Sequence, residues 1–185
     1  MRQIRLITTG GTIDKTYDER AGELVNAKSV VRSMLGLLRL EDTRVDVGEV
    51  LQKDSQLFTD ADRASIVAAV RSALGTFRAV EPSGVVITHG TDTLSLTGET
   101  LLEEIGPLLQ EVGAAVVLVG AMRPFEMQRS DALQNLTEAL FASTSLPPGV
   151  WCVAHGRALA FPGVVKVLDR RTFVRREPVA AARKD

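Results

Sequence analysis

Cysteine is almost missing from this chain: Cys152 is the only one in 185 residues. One thiol cannot close an internal disulfide, so a reducing compartment is the simplest setting and a cytoplasmic location is expected. The opening Met1 to Ile7 is too short and too soon interrupted to read as a secretion signal. No run comes near the ~18 consecutive apolar residues of a membrane span, so no membrane partner is expected. An excess of one charge is missing too. Lys and Arg number 22 against 23 Asp and Glu, for a formal net charge of -1. That balance gives no sign of a nucleic-acid partner. The one basic bias, Arg170, Arg171, Arg175, Arg176, Arg183 and Lys184, reads as a solvated C-terminal segment. Histidine is scarce, with only His89 and His155. Cys152 and His155 have C-x-x-H spacing, which is half a metal site without partners, so no metal and no cofactor are expected.

What is present is an ordinary globular composition, 45% hydrophobic and 24% charged. The length fits one domain with a core of its own. Its expected bounds are 1–177, followed by a frayed tail over 178–185. Residues 3–9 read as a buried strand. The polar stretch 14–26 has no apolar period and is expected to be a surface loop of the kind that forms lids. Apolar residues recur at helical spacing from Ala27 to Leu40. Arg44 to Leu51 reads as a strand interrupted by Gly48. Thr59 and Asp62 form a capping-box pattern before a helix carrying Ile66, Val67, Val70 and Leu74. Gly84 to Thr88 reads as a central strand, Leu94 to Leu109 as a helix, and Ala114 to Val119 as another buried strand. Ser130 can cap a helix bearing Leu133, Leu136 and Leu140, and Val150 to Val153 is a further strand. Lys166 to Phe173 is charged and ambiguous. Strands that alternate with helices predict an α/β fold of three layers, a mostly parallel sheet with helices on both faces.

Polar clusters stand at four strand ends: Thr8 to Asp14, Asp54 to Gln56, His89 to Thr93, and His155 to Arg157. In a parallel sheet such ends lie along one edge, where separate clusters can converge on a ligand. In the first, Gly10 and Gly11 permit a sharp turn and a close approach to the main chain. The same glycines could serve a plain turn. In the second, Thr91 and Asp92 put a hydroxyl and a carboxylate at the mouth of a helix, where free N–H groups favour negative charge. Asp92 or Thr93 could instead simply cap that helix. A threonine hydroxyl is a poor nucleophile without an activating partner. Either histidine could supply one or could merely pack, and a lysine of lowered pKa is the other choice. The first cluster lacks the lysine spacing of a P-loop and the third glycine of a dinucleotide fingerprint.

Two stretches, Thr8-Thr9-Gly10-Gly11-Thr12-Ile13 and His89-Gly90-Thr91-Asp92-Thr93, resemble the two signature motifs of the bacterial-type L-asparaginases. Asp54-Ser55-Gln56 resembles that family's substrate-binding serine segment. Val119 to Pro124, and Ser130-Asp131 with Asn135-Leu136, are similar to the stretches that follow. The resemblance runs from residue 3 to about residue 173. It implies hydrolysis of L-asparagine to L-aspartate and ammonia through an acyl-enzyme, with no cofactor. By motif, Thr12 matches the nucleophile and Tyr17 the tyrosine of the lid that orients it. Thr91, Asp92 and a lysine, best placed at Lys166, match the second triad. Gly11, Asp54, Ser55, Gly90 and Asp92 match substrate-binding positions, Ser55 holding the α-carboxylate and Asp92 the α-amino group.

The family's usual second, smaller domain has no counterpart in these residues, so the chain resembles a short, single-domain branch. A homo-oligomer, dimer or tetramer, is expected, with helices packed across a symmetric contact. Alternatives are a glutaminase-asparaginase or another amidohydrolase, and a non-catalytic protein that binds asparagine or aspartate.

Overall fold

A computed structural model describes residues 1–77 and 83–176. Its centre is a six-stranded sheet of β1 (Arg2–Gly10), β4 (Thr43–Lys53), β5 (Ser83–Thr88), β6 (Ala115–Val119), β7 (Gly149–Ala154) and β8 (Arg157–Ala160). Across the sheet the order is β4-β1-β5-β6-β7-β8. The first five of these run parallel, and β8 turns back antiparallel against β7. Parallel strands need covered faces, and alternate side chains go to opposite faces. Ile7, Val85, Ile87, Val116 and Leu118 face one layer, built from α2 (Asp60–Leu74) and α3 (Leu94–Val112). Leu6, Val86, Val117 and Val119 face the other, built from α1 (Val31–Gly36) and α4 (Ala132–Ser143). The three-layer, mostly parallel architecture expected from the alternating pattern is therefore present.

The local expectations were met unevenly. Thr59 and Asp62 form the reciprocal capping box at the start of α2. Ser130 does help to start α4, its Oγ accepting from the Ala132 N–H at 3.0 Å. Gly48 does not interrupt its strand, because β4 runs through it and the Arg5 guanidinium fills the space beside it. The helix expected over 27–40 shrinks to α1. It has no side-chain cap, and Leu37 beyond it is 63% exposed, so the apolar face runs out of core to cover.

The stretch 14–26 is not a structureless loop. It begins with the end of a single 3-10 turn, Thr12–Asp14, and then forms a hairpin of β2 (Thr16–Asp18) and β3 (Glu23–Val25). Main-chain pairing, which leaves no apolar period in so short a ribbon, explains why the sequence hid it. The ambiguous 166–173 is a second hairpin, of β9 (Val164–Val167) and β10 (Thr172–Arg175), with Lys166 opposite Phe173. The expected frayed tail 178–185 and the domain end at 177 lie outside the described residues.

Candidate active site

The first motif leaves β1 through two glycines of positive φ, Gly10 at 88° and Gly11 at 79°. A side chain on Gly11 would collide with the main chain of Gly90, so the two signature loops touch at bare backbone. That contact follows from topology, since β1 and β5 are neighbours in the sheet. Thr9 reinforces it by donating from Oγ1 to the Thr88 carbonyl at 2.7 Å. Thr12 then opens its 3-10 turn, half-buried, while Ile13 and Asp14 beneath it are fully buried. Asn26 returns from the hairpin to donate to the Gly11 carbonyl at 2.8 Å.

The second motif follows β5. Thr91 is 4% exposed and its Oγ1 accepts from Lys166 Nζ at 2.7 Å. The same Nζ donates to Asp92 Oδ1, also at 2.7 Å. The β9–β10 hairpin thus carries one ammonium to both groups. This bond is the main reason that the Asp92 carboxyl sits below the usual carboxylate range. Thr93 occupies the N-cap position of α3 but makes no side-chain cap. Its Oγ1 donates instead to the Ser55 carbonyl at 3.0 Å.

The third cluster stands at the end of β4. Ser55 is buried, and its Oγ finds no hydrogen-bond partner among the described residues. A Cβ on Gly90 would overlap that oxygen, so Ser55 Oγ lies directly against the second loop. A buried hydroxyl left unpaired is costly unless something else satisfies it, and a bound ligand is one such group. Asp54 caps the 3-10 turn Ser55–Leu57, its Oδ1 accepting from the Gln56 N–H at 3.0 Å. Its Oδ2 accepts from Lys15 Nζ at 2.8 Å, and this pairing holds the Asp54 carboxyl down. Gln56 Nε2 donates to Asp92 Oδ2 at 2.8 Å and so joins the third cluster to the second.

Three of the four strand-end clusters meet here, and the fourth does not. His155 Nε2 lies 2.8 Å from Asp131 Oδ2, and its Nδ1 lies 2.9 Å from Thr172 Oγ1, which makes it a brace for β10. His89 is fully buried beside the site. Its Nδ1 lies 2.8 Å from the Gly90 carbonyl, its Nε2 2.8 Å from Thr97 Oγ1, and its ring meets Phe58 edge-on. Burial pushes its pKa down to about 4, so at neutral pH it is an uncharged packing group with both nitrogens satisfied. Tyr17 stands on β2 with 58% of its surface exposed, tied in through its N–H to Glu126 Oε2 at 2.9 Å. Cys152 is buried, which pushes its thiol up to about 12. Among the described residues no group of three His, Cys, Asp or Glu could hold a metal ion. Lys15, Asn26 and Glu126 carry no signal in the sequence. None belongs to a motif; the folded hairpin brings Lys15 to Asp54 and Asn26 to Gly11, and is itself met by Glu126.

The parallel sheet thus gathers threonine, serine and carboxylate groups at the ends of β1, β4 and β5, the edge at which sheets of this kind take up ligands. Residues 3–175 match the asparaginase N-terminal family, and the chain belongs to it. It is 29% identical over 165 residues to an L-asparaginase of Thermococcus kodakarensis, across 89% of this chain and 48% of that protein. It is 31% identical over 146 residues to a glutamyl-tRNA(Gln) amidotransferase subunit of Thermoplasma acidophilum, across 78% of this chain and 34% of that one. The solved structure of the thermostable Thermococcus kodakarensis L-asparaginase superposes with a TM-score of 0.72 at 28% identity, over 89% of this chain and 47% of that one. L-asparaginase I from Vibrio cholerae shares the fold, with a TM-score of 0.76 at 23% identity, over 94% of this chain and 51% of that one. The chain thus spans about a third to a half of the length of these relatives.

Proposed function

We propose that this chain is an L-asparaginase that hydrolyses L-asparagine to L-aspartate and ammonia through a threonine nucleophile. The observation that carries the reading is the contact of Lys166 with both Thr91 and Asp92, across the loop contact from Thr12. The substrate is a zwitterion bearing an amide. Ser55 Oγ, buried and unpaired, suits its α-carboxylate. Asp92, held ionised, suits its α-ammonium. Thr12 Oγ1 attacks the amide carbon and gives up its proton. The resulting oxyanion is held by main-chain N–H groups near Thr91. The amide nitrogen takes up the proton that Thr12 gave up, and the C–N bond breaks to release ammonia and leave the acyl-enzyme, an ester of Thr12. A water then attacks the ester, its proton returns to Thr12, and L-aspartate is released. Thr91 relays protons, with Lys166 setting the charge around it. The hairpin closes over the substrate and brings the exposed Tyr17 phenol to Thr12. No cofactor is needed for these steps. The assembly is a homo-oligomer in the cytoplasm.

Ammonia release from L-asparagine by the purified protein tests this. Thr12→Ala and Thr91→Ala are each expected to lower kcat about a thousandfold or more, as loss of a residue acting at the reacting atoms does. An active Thr12→Ala variant would remove Thr12 from the nucleophile's role. No ammonia from any short amide would end the enzyme reading.

The similarity to a glutamyl-tRNA(Gln) amidotransferase subunit favours a second reading, in which the amide comes from glutamine or is carried on an RNA. A net charge of -1 supplies little of the positive surface that RNA binding uses. Comparing kcat/KM for L-asparagine and L-glutamine separates the two.

A further inference from the structure

Lys15 belongs to no motif, yet it lies at the root of the β2–β3 hairpin and reaches Asp54 at 2.8 Å. From there an unbroken chain of bonds runs through the site. Lys15 donates to Asp54, whose other oxygen accepts from the Gln56 N–H. Gln56 donates to Asp92, and Lys166 donates to Asp92 and Thr91. The charges along this path run as Lys15 positive, Asp54 negative, Asp92 negative, Lys166 positive. They sum to zero, which suits a zwitterion whose own charges sum to zero. Asp54 is the weak point of that balance. It directly precedes Ser55, where an α-carboxylate would sit, and its charge reaches Asp92, where it opposes slightly the lowering that the bond from Lys166 imposes. An uncompensated carboxylate there would repel the anionic end of the substrate.

We propose that Lys15 is a specificity-determining residue for the reaction assigned above. It neutralises Asp54 so that the pocket beside Ser55 accepts a carboxylate. The inference rests on that reading, since it takes the α-carboxylate of L-asparagine as the ligand of Ser55. Lys15 acts through Asp54 and takes no part in the bond-breaking step. Its loss therefore weakens ground-state binding and leaves the chemistry alone.

The sign of two opposite substitutions tests it. Lys15→Met leaves the Asp54 charge bare and is expected to raise KM for L-asparagine about tenfold, the scale of one poorly screened charge a few ångströms away, with kcat little changed. Asp54→Asn keeps the oxygen that caps Gln56 and frees Lys15, so it is expected to lower KM. The double variant returns KM towards the wild-type value. Because the effect is electrostatic, the KM rise of Lys15→Met shrinks as ionic strength is raised from about 0.02 to 0.5 M, where the screening length falls to a few ångströms. Lys15→Arg keeps the charge and keeps KM low. A mere latch between hairpin and turn predicts otherwise, with both single variants raising KM, the double no better, and no salt dependence. That pattern, or an unchanged KM in Lys15→Met, would overturn the inference. Thermal midpoints of all four variants confirm that each is folded, and Asp54→Asn alone carries the sign test if Lys15→Met is not. Wild-type turnover is measured first. Its absence ends the asparaginase reading and this inference with it, whereas an active wild type with same-sign variants ends only the inference.

Discussion

Asp92 and His89 lie three residues apart and are pushed in opposite chemical directions. Asp92 is held ionised mainly by its bond from Lys166, against the cost of partial burial. Its folded pKa is lowered, so its negative charge persists as pH falls below the usual carboxylate range and is lost only on passing the depressed value. In Lys166→Met that support is gone, and the charge is lost at a higher pH. With Thr12→Ala as a silent background, L-asparagine binding measured by calorimetry between about pH 3 and pH 7 should hold to lower pH with Lys166 than without it. His89 gives a separate signal. Its pKa falls from 6.5 to about 4 on folding because burial disfavours the imidazolium. Between those values the unfolded chain binds a proton that the folded chain refuses, so stability rises with pH across that window and is lost as pH falls through it. The full effect is about 3 kcal/mol. The difference in stability between the wild type and His89→Gln, from denaturant midpoints against pH, should carry this slope, because the buried Asp14 carboxyl, raised to about 6, contributes an opposite slope over much of that window to both chains. At this scale the sequence was informative where motifs were dense. Thr12, Ser55, Thr91 and Asp92 stood out because hydroxyls, glycines and a carboxylate clustered at strand ends. Lys15 did not, because a lone lysine in a polar stretch looks like any solvated one. Which of the two histidines packs and which braces was equally hidden, since it depends on partners such as Thr97 and Thr172 that lie at unremarked positions.

The elements that carry the site were legible in proportion to how much apolar surface they bury. The central strands and α2 to α4 announce themselves by period, because one face of each must meet a core. The two hairpins do not, because their strands are only three or four residues long, too short to show a period, even though β9 and β10 bury Val164 and Phe173. Yet both carry candidate site residues, β2 Tyr17 and β9 Lys166. The β9–β10 hairpin needs an anchor, and Arg157 supplies it. Its Nη2 donates to Thr172 Oγ1 at 2.9 Å and to the Phe173 carbonyl at 2.6 Å, and Phe173 is the residue opposite Lys166. His155, in the left-handed region at φ 54°, grips the same Thr172 while its other nitrogen meets Asp131. Asp131 in turn accepts from the N–H groups of Met122 and Arg123, just past the end of β6. Removing the Arg157 grip lets the strand that presents Lys166 drift while Ser55 and Asp92 keep their places. Arg157→Ala is therefore expected to lower kcat about tenfold, the scale of a small misplacement of a catalytic group, with KM little moved. Arg157→Lys, which keeps the charge and a donor, should restore part of it. Equal loss in kcat and affinity, or no loss at all, would show that the brace does not act through Lys166.

At the scale of the whole molecule, the candidate residues Ser55, Thr91, Asp92 and Lys166 come together within one chain, beside the loop that carries Thr12. The two cores on either side of the sheet explain how. Each of the three loops leaves a strand of the packed central sheet, so their relative positions are set by packing and not by the loops themselves. This bears on the assembly, which periodicity and composition could suggest only through resemblance. Apolar side chains such as Leu37, Leu57 and Phe141 stand exposed, at 63%, 68% and 65%. A homo-oligomer would cover some of them, while the bond from Lys166 to Thr91 stays within one chain. Sedimentation should then show a dimer or tetramer that dissociates on dilution. The activity per chain separates two architectures. If each chain holds a complete set of reacting groups, kcat stays constant through dissociation, and only thermal stability falls as buried apolar surface is returned to water. If a partner closes the site, kcat or kcat/KM falls in step with the loss of oligomer. The contacts within one chain predict the first outcome for kcat. KM is the more sensitive quantity, because Lys15 at the root of the β2–β3 hairpin bonds Asp54 beside Ser55, and a neighbour could support that hairpin. A KM that rises on dilution while kcat holds would place the partner's contribution in substrate retention and leave the bond-making groups to the single chain.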